Sequence, residues 1–367
     1  MRSLVIGGTG PTGHFIVNGL RARGHAVAIL HSGRHEVPEI PPEVEHLHAD
    51  AYDPAAVAGA VARRSFDLCI ATYGRLRGIA EAMVGRTGRF LSIGGAPAYR
   101  GYMNPELLAP AGLPVPTPES APLVRHEAED AKGFRIVRSE EAVFAHHPQA
   151  THFRYPYVYG PYQLVPREWC IVRRVRDGRR RMILPDGGLT LSHYGYAENL
   201  AHAVLCAVDR PEVAAGEIFH CGDEEVLTLR QVVEIVGAAL GHRFEIVSMP
   251  WDLALPARPL VAQPLTTHRV LDLSKLKQKL GYRDAVPARE ALARTARWLD
   301  AHPPAPGGQE ELVLQDPFDY AAEDALAEAW RKALDALPRV RFAREPGLTL
   351  SYSGPGGRPR SRTDFES

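Results

Sequence analysis

The chain opens with a short apolar run, Leu4-Val5-Ile6, that leads directly into Gly7-Gly8-Thr9-Gly10-Pro11-Thr12-Gly13. A helical pattern follows at once, with Phe15, Ile16 and Leu20 on one face and Gly24 as its stop. Strand, glycine turn and helix in this order build a pyrophosphate cradle. Glycines let the backbone approach the phosphates, and the helix start offers free N–H groups and the positive end of its dipole. The spacing is G-x-x-G-x-x-G. Glycines alone would mark no more than a tight turn; their place between a strand and a helix points to a dinucleotide site.

Bulk properties limit the alternatives. The 367 residues suffice for two domains or one large domain with a satellite lobe. Lysine plus arginine and aspartate plus glutamate both number 43, so no global field favours nucleic acid or an anionic membrane. The basic stretches Arg173-Arg174-Val175-Arg176 and Arg179-Arg180-Arg181 read as a solvated helix face and turn. No apolar run is long enough for a membrane span. No basic-then-apolar leader precedes the first strand, so a cytoplasmic protein is expected. Cys69, Cys170, Cys206 and Cys221 lie far apart in apolar surroundings, without metal-ligand spacing. Buried free thiols, and no metal, are the expectation.

Strand and helix patterns alternate up to about residue 157, with strands at Ser3–Ile6, Ala26–Leu30, Glu45–His48, Leu68–Thr72, Arg89–Ile93 and Thr151–Tyr155. Such alternation predicts a doubly wound parallel α/β sheet in residues 1–160, of Rossmann type. Residues 96–125 break it with a proline-rich connection, read as a lid over the cleft. Residues 161–302 mix helical and short strand signals, as in a smaller mixed α/β substrate lobe. Asn199–Val208, Leu229–Leu240, Leu271–Tyr282 and Ala288–Leu299 carry its helices. Residues 303–367 read as a linker, a helix striped with Leu326, Trp330, Leu334 and Leu337, and an extended tail.

The second strand ends in Leu30-His31-Ser32-Gly33-Arg34-His35, with no acid between Gly13 and Glu36. A carboxylate here would bind the ribose 2′-hydroxyl of NAD; Arg34 instead suits the 2′-phosphate of NADP. NADP(H) is therefore favoured over NAD(H). The third strand ends at Asp50-Ala51 and the fourth at Thr72-Tyr73-Gly74, both placed to line a dinucleotide.

Further motifs resemble the short-chain dehydrogenase/reductase superfamily, in its extended and atypical, epimerase/dehydratase-like branches. Arg154-Tyr155-Pro156-Tyr157-Val158-Tyr159-Gly160-Pro161 resembles the R-x-x-N-x-Y-G-P of the extended branch. His193-Tyr194-Gly195-Tyr196-Ala197-Glu198-Asn199-Leu200-Ala201 is similar to H-V-x-D-D-L-A. Leu271-Asp272-Leu273-Ser274-Lys275-Leu276 with Leu280-Gly281-Tyr282 resembles D-x-S-K-L and L-G-Y. The resemblance covers about residues 1 to 300. It implies cofactor contacts from Gly7, Thr9, Gly10, Pro11, Thr12, Gly13, Ser32, Arg34, Asp50, Ala51, Thr72 and Tyr155, a small-molecule substrate and a homodimer.

It also implies a catalytic tyrosine four residues before a lysine, and none of the thirteen tyrosines meets that spacing. On the expected register Phe134 and Arg138 take the two positions, with Arg138 near the nicotinamide ribose. Gly95 stands where a serine belongs, and Tyr157 replaces the asparagine of R-x-x-N. Tyr99, Tyr157, Tyr159, His193 and Ser92 are left as replacement proton donors. The reading is an atypical NADP(H)-dependent oxidoreductase acting at a carbonyl or hydroxyl carbon of a polar organic substrate. A non-catalytic dinucleotide-binding protein, acting as a sensor or touching RNA through Arg173–Arg181, is one alternative. A nucleotide-sugar epimerase or dehydratase with an altered proton relay is the other.

Overall fold

The computed structural model describes residues 1–72, 74–344 and 346. The chain divides into two units, Met1–Phe318 and Asp319–Ser367. In the first, β1 (Arg2–Ile6), α1 (Gly13–Ala22), β2 (Ala26–His31), β3 (Glu45–His48), α2 (Pro54–Val61), β4 (Phe66–Ala71), α3 (Leu76–Ala82), β5 (Thr87–Gly95), α4 (Ala131–His146) and β6 (Thr151–Tyr155) alternate as the periodicity predicts. All seven strands of the main sheet run parallel in the order β10-β6-β5-β4-β1-β2-β3. The seventh, β10 (Ile218–His220), returns from the later half of the chain to pair with β6.

Burial on both faces explains the nearly continuous apolar strands. Val5 and Ile29 pack with Ile16, Leu20 and Val204, under α1 and α6 (Ala197–Asp209). Leu4 and Ile6 alternate to the other face, with Val57, Ile79 and Val143 from α2, α3 and α4. Reversal of connection direction on either side of β1 opens a crevice beyond the carboxyl ends of the strands, where such sheets hold ligands.

The later segments build a second core. β7 (Tyr157–Tyr159) pairs with β9 (Tyr194–Tyr196), and β8 (Arg181–Pro185) with β11 (Glu245–Met249), each pair parallel. Around them lie α5 (Trp169–Arg176), α8 (Leu229–Ala239), α9 (Arg258–Val261) and α11 (Ala288–Ala301), whereas α7 (Pro211–Ala214) and α10 (Ser274–Leu280) pack with α6 in the first core. Residues 303–318 are more than a connector. After α12 (Gln309–Leu312), Asp316 forms a buried pair with Arg174 at 2.7 Å, and Glu311 accepts from the Trp169 indole at 3.0 Å.

The proline-rich connection forms its own small cluster, in which Tyr99, Tyr102 and Leu113 pack with Leu271 and Leu273. Backbone bonds from Thr117 to Val270 and from Asp272 to Thr117 tie the two segments together. In the second unit, α13 (Tyr320–Asp335) starts at a cap where Asp319 accepts from the Ala322 amide. Leu334 and Leu337 of its anticipated apolar stripe are exposed. The tail expected to lie extended falls, from residue 347, outside the described residues. Among the described residues no helix is long and apolar enough to cross a membrane.

Candidate active site

A cavity of about 1020 Å³ runs along the carboxyl ends of the strands. At one end, Gly7 takes a positive φ of 89° and its amide donates to the Leu30 carbonyl at 2.9 Å, which turns the chain from β1 toward α1. A side chain at Gly13 would strike the Gly7 carbonyl and the Gly8 backbone, so glycine here lets α1 pack directly on the loop. Gly7, Thr9, Gly10, Pro11 and Thr12 face the cavity, as do Ser32, Arg34, Asp50, Ala51, Thr72 and Tyr155; Gly13 supports the loop from behind. The Thr72 hydroxyl is already committed, donating to the Ile6 carbonyl at 3.0 Å. Tyr155 donates to the Leu200 carbonyl at 3.3 Å.

Four ligating side chains gather beside this end. His31, Glu36, His46 and His48 each bring one nitrogen or oxygen within 4.8 Å of the others. His31 and His48 are register partners on β2 and β3, and His46 lies two residues before His48, on the same face. Cysteine spacing gave no pointer to this group. The Gly33 amide donates to His31 Nδ1 at 3.2 Å, which leaves Nε2–H to donate to His46 Nδ1 at 3.0 Å, and the Glu36 carboxylate lies 3.6 Å from His31 Nε2 and 3.5 Å from His46 Nδ1.

The other end corrects the expected helix register. Arg138 is exposed and paired with Glu141 at 2.7 Å, away from the cavity. The α4 residues that face the cavity are Lys132 and Ile136. They stand four residues apart, two positions earlier than Phe134 and Arg138. The offset arises because α4 packs closely through Gly133, whose side-chain position meets the Pro97 carbonyl and Val124, and buries Val137 and Glu140 behind it. Burial, then repulsion from Arg167 and Arg269, lowers the Lys132 pKa; Asp130 acts against both. Among the described residues its ammonium has no ion pair.

Of the expected proton donors, Ser92 and Tyr99 lie outside the cavity wall. The Ser92 hydroxyl is 2.7 Å from His152 Nδ1 inside the sheet. Tyr99 bonds to His220 Nε2 and receives Arg154 Nη1, each at 2.5 Å, and burial pushes its hydroxyl up to about 12. Behind it, Arg154 and Glu140 form a buried bidentate pair at 2.9 and 2.6 Å. Tyr159 is likewise buried, donating to Asp223 at 2.7 Å.

Tyr157 and His193 do face the cavity, with their polar atoms engaged. Tyr157 donates to the Val165 carbonyl and accepts from the Arg167 amide at 2.9 Å. His193 Nε2 donates to the Asp223 carbonyl at 2.8 Å, and Nδ1 accepts from the Leu271 amide at 3.1 Å. That pattern fixes a neutral tautomer, and burial lowers the pKa to about 4.

The basic stretch at 173–181 is largely neutralised. Arg173 pairs with Asp177 and Glu311, Arg174 with Asp316, Arg176 with Asp300 and Arg181 with Glu245. These partners leave little field for an RNA backbone.

No family model matches the chain. Over 320 residues it is 28% identical to the 3-diazoavenalumate denitrifying reductase of a Streptomyces species, a match that takes in 80% of this chain and 100% of that protein. It spans about half or less of the length of the other curated relatives it matches. Among solved structures it is similar to the UDP-glucose 4-epimerase of Thermotoga maritima, with a TM-score of 0.66 and 18% identity over 82% of this chain and 99% of that one. It is also similar to the Bordetella bronchiseptica enzyme WbmH, solved with NAD+, with a TM-score of 0.64 and 17% identity over 82% and 98% of the two chains. The chain shares its fold with these enzymes, and its motifs resemble those of the extended short-chain dehydrogenase/reductase branch.

Proposed function

We propose that the protein is an NADP(H)-preferring oxidoreductase in which Lys132 does the work usually given to a tyrosine. The glycine cradle, with Gly13 packed beneath it, fits a pyrophosphate, and Arg34 with Ser32 suits a 2′-phosphate at the end of β2. A bound nicotinamide would supply or accept hydride. In the reducing direction, Lys132 would give its Nζ proton to the substrate oxygen as the carbon is reduced, and regain it from solvent. Its pKa, lowered by burial and by Arg167, favours release of that proton. Ile136 offers no polar group to a ribose, so cofactor orientation would rest more heavily on the adenosine end.

The observation carrying this reading is the position of Lys132 on the cavity face of α4, in the same cavity as the intact cradle and one turn from Ile136. The Streptomyces relative, matched along its whole length, is by name a reductase. Calorimetric titration with NADPH and NADH, followed by absorbance assays on aldehydes and ketones, tests it. NADPH should bind more tightly than NADH, and turnover should fail in Lys132→Met while NADPH binding persists. Failure of both nucleotides to bind, or equal turnover by wild type and Lys132→Met, overturns it.

A further inference from the structure

Charge is distributed unevenly along the cavity wall. Among the described residues Asp50 is its only carboxylate, and it stands with Arg34 beyond β2 and β3. On the opposite side of β1 in the sheet order, the wall carries Lys132, Arg167 and Arg269. Arg167 and Arg269 are each close enough to Lys132 to lower its pKa, and Arg167 also acts on Arg269. Three like charges around one space are unfavourable without a counter-ion.

The nearby carboxylates are turned to other tasks. Asp130 accepts from the Lys132 and Gly133 backbone amides as the cap of α4. Glu168 is buried and accepts from Gln163 at 3.0 Å. Neither forms an ion pair with the three cations among the described residues.

Arg269 is the most telling of the three. It is only 7% exposed. One guanidinium nitrogen donates to the Val261 carbonyl at 2.8 Å, and Nε is buried without a hydrogen-bond partner. A buried, unanswered N–H on a cation is costly unless something in the cavity accepts from it. The guanidinium lies over the Tyr102 ring at 5.0 Å, and that of Arg167 over the Tyr157 ring at 4.1 Å. Stacking holds both forks in place before any ligand arrives, which reduces the ordering cost of binding.

We infer that Arg269 and Arg167, with Lys132 beside them, form a subsite for an oxyanion on the substrate, a carboxylate or a phosphate. The inference deepens the oxidoreductase reading by naming the substrate class, and it rests on that reading only for the reacting carbon. An acidic substrate anchored here would present its neighbouring carbon to Lys132. The fork geometry of arginine, which can pair with both oxygens of such a group, accounts for the use of two arginines where a neutral ligand would need none. The name of the Streptomyces relative's substrate, 3-diazoavenalumate, is that of an anion.

The test uses acetate, benzoate, phenyl phosphate and inorganic phosphate as probes, with benzamide as the neutral control. Each is titrated calorimetrically into the full chain, alone and saturated with NADP+. At least one anion should bind more tightly than benzamide, and added salt should weaken it. The tightest should lose about 10-fold or more in Arg269→Met and Arg167→Met, and less in Arg269→Lys. NADP+ binding and the thermal transition of Arg167→Met should match wild type, which separates loss of the subsite from loss of the fold. Carboxylate and phosphate arms identify the oxyanion. The inference is overturned if no anion outcompetes benzamide, or if the preferred anion binds both methionine variants as it binds wild type. Should NADP+ fail to bind while the anion still does, the cofactor reading falls and the subsite stands.

Discussion

Lys132 and Ile136 face the cavity one helical turn apart, at the spacing the family resemblance reserves for tyrosine and lysine. The amine therefore stands where a phenol is expected, and an alkyl chain stands where an ammonium is expected. Lys132→Met should lower kcat for reduction by about 10²–10⁴-fold, the usual contribution of a positioned acid. NADPH affinity should change little, because the cradle lies elsewhere. Wild-type kcat should fall as pH rises through a value below that of a free lysine, since burial and Arg167 favour the neutral amine. A pH–rate profile for Lys132→Met that keeps this alkaline limb would remove Lys132 from the role.

Arg34→Glu reverses the charge at the end of β2 where a 2′-phosphate is expected. It should weaken NADP+ binding by about 10- to 100-fold, the loss of one charge-assisted contact, while NAD+ affinity holds or improves. Calorimetry with both nucleotides reads this directly. Equal weakening for the two would show that Arg34 serves the adenosine generally and does not select the phosphate.

Much of the sheet domain was legible because parallel strands buried on both faces leave apolar runs, and each run ends in a glycine or a polar turn. Leu4-Val5-Ile6 before Gly7 is the clearest case. The α4 register was not legible in the same way. Family spacing pointed to Phe134 and Arg138, but the face of a helix is fixed by close packing, here at Gly133 against the Pro97 carbonyl, and that contact is set by a loop over 30 residues away from the motif it mimics. Tyr99, Ser92 and His193 were reasonable donors by residue type. Sequence does not reveal that each polar atom already has a partner inside the protein. Arg269 was missed for the converse reason, since its significance lies in a partner it lacks.

Arg154 and Glu140 are both buried and bound through two contacts, with Tyr99 closing the network. Removing one member leaves an uncompensated charge inside the sheet. Arg154→Met or Glu140→Gln should each cost about 3–5 kcal/mol of stability. The pair Arg154→Met with Glu140→Gln should cost less than the sum of the singles, because no lone charge remains. Urea midpoints for the four proteins measure the difference. Additive losses would show that the two side chains stabilise the fold independently.

His193 makes acid stability measurable. Its Nδ1 faces the Leu271 amide, so a second ring proton would set one donor against another, in addition to the cost of burying charge. The native pKa of about 4 lies below the ordinary 6.5. The stabilisation is therefore fully present above pH 6.5 and is lost as pH falls through 4, amounting to about 3 kcal/mol at most. Asp223 works in the opposite sense in the same window. Burial raises its carboxyl to about 6, so its contribution is present below pH 4 and fades as pH rises through 6. Wild type should lose stability less steeply on acidification than His193 alone dictates. Asp223→Asn should steepen that loss, and His193→Gln, which can still donate to Asp223 and accept from Leu271, should flatten it. Urea midpoints between about pH 7.5 and 4.5 separate the three. Parallel curves for wild type and His193→Gln would mean that this imidazole takes up no proton as the protein unfolds.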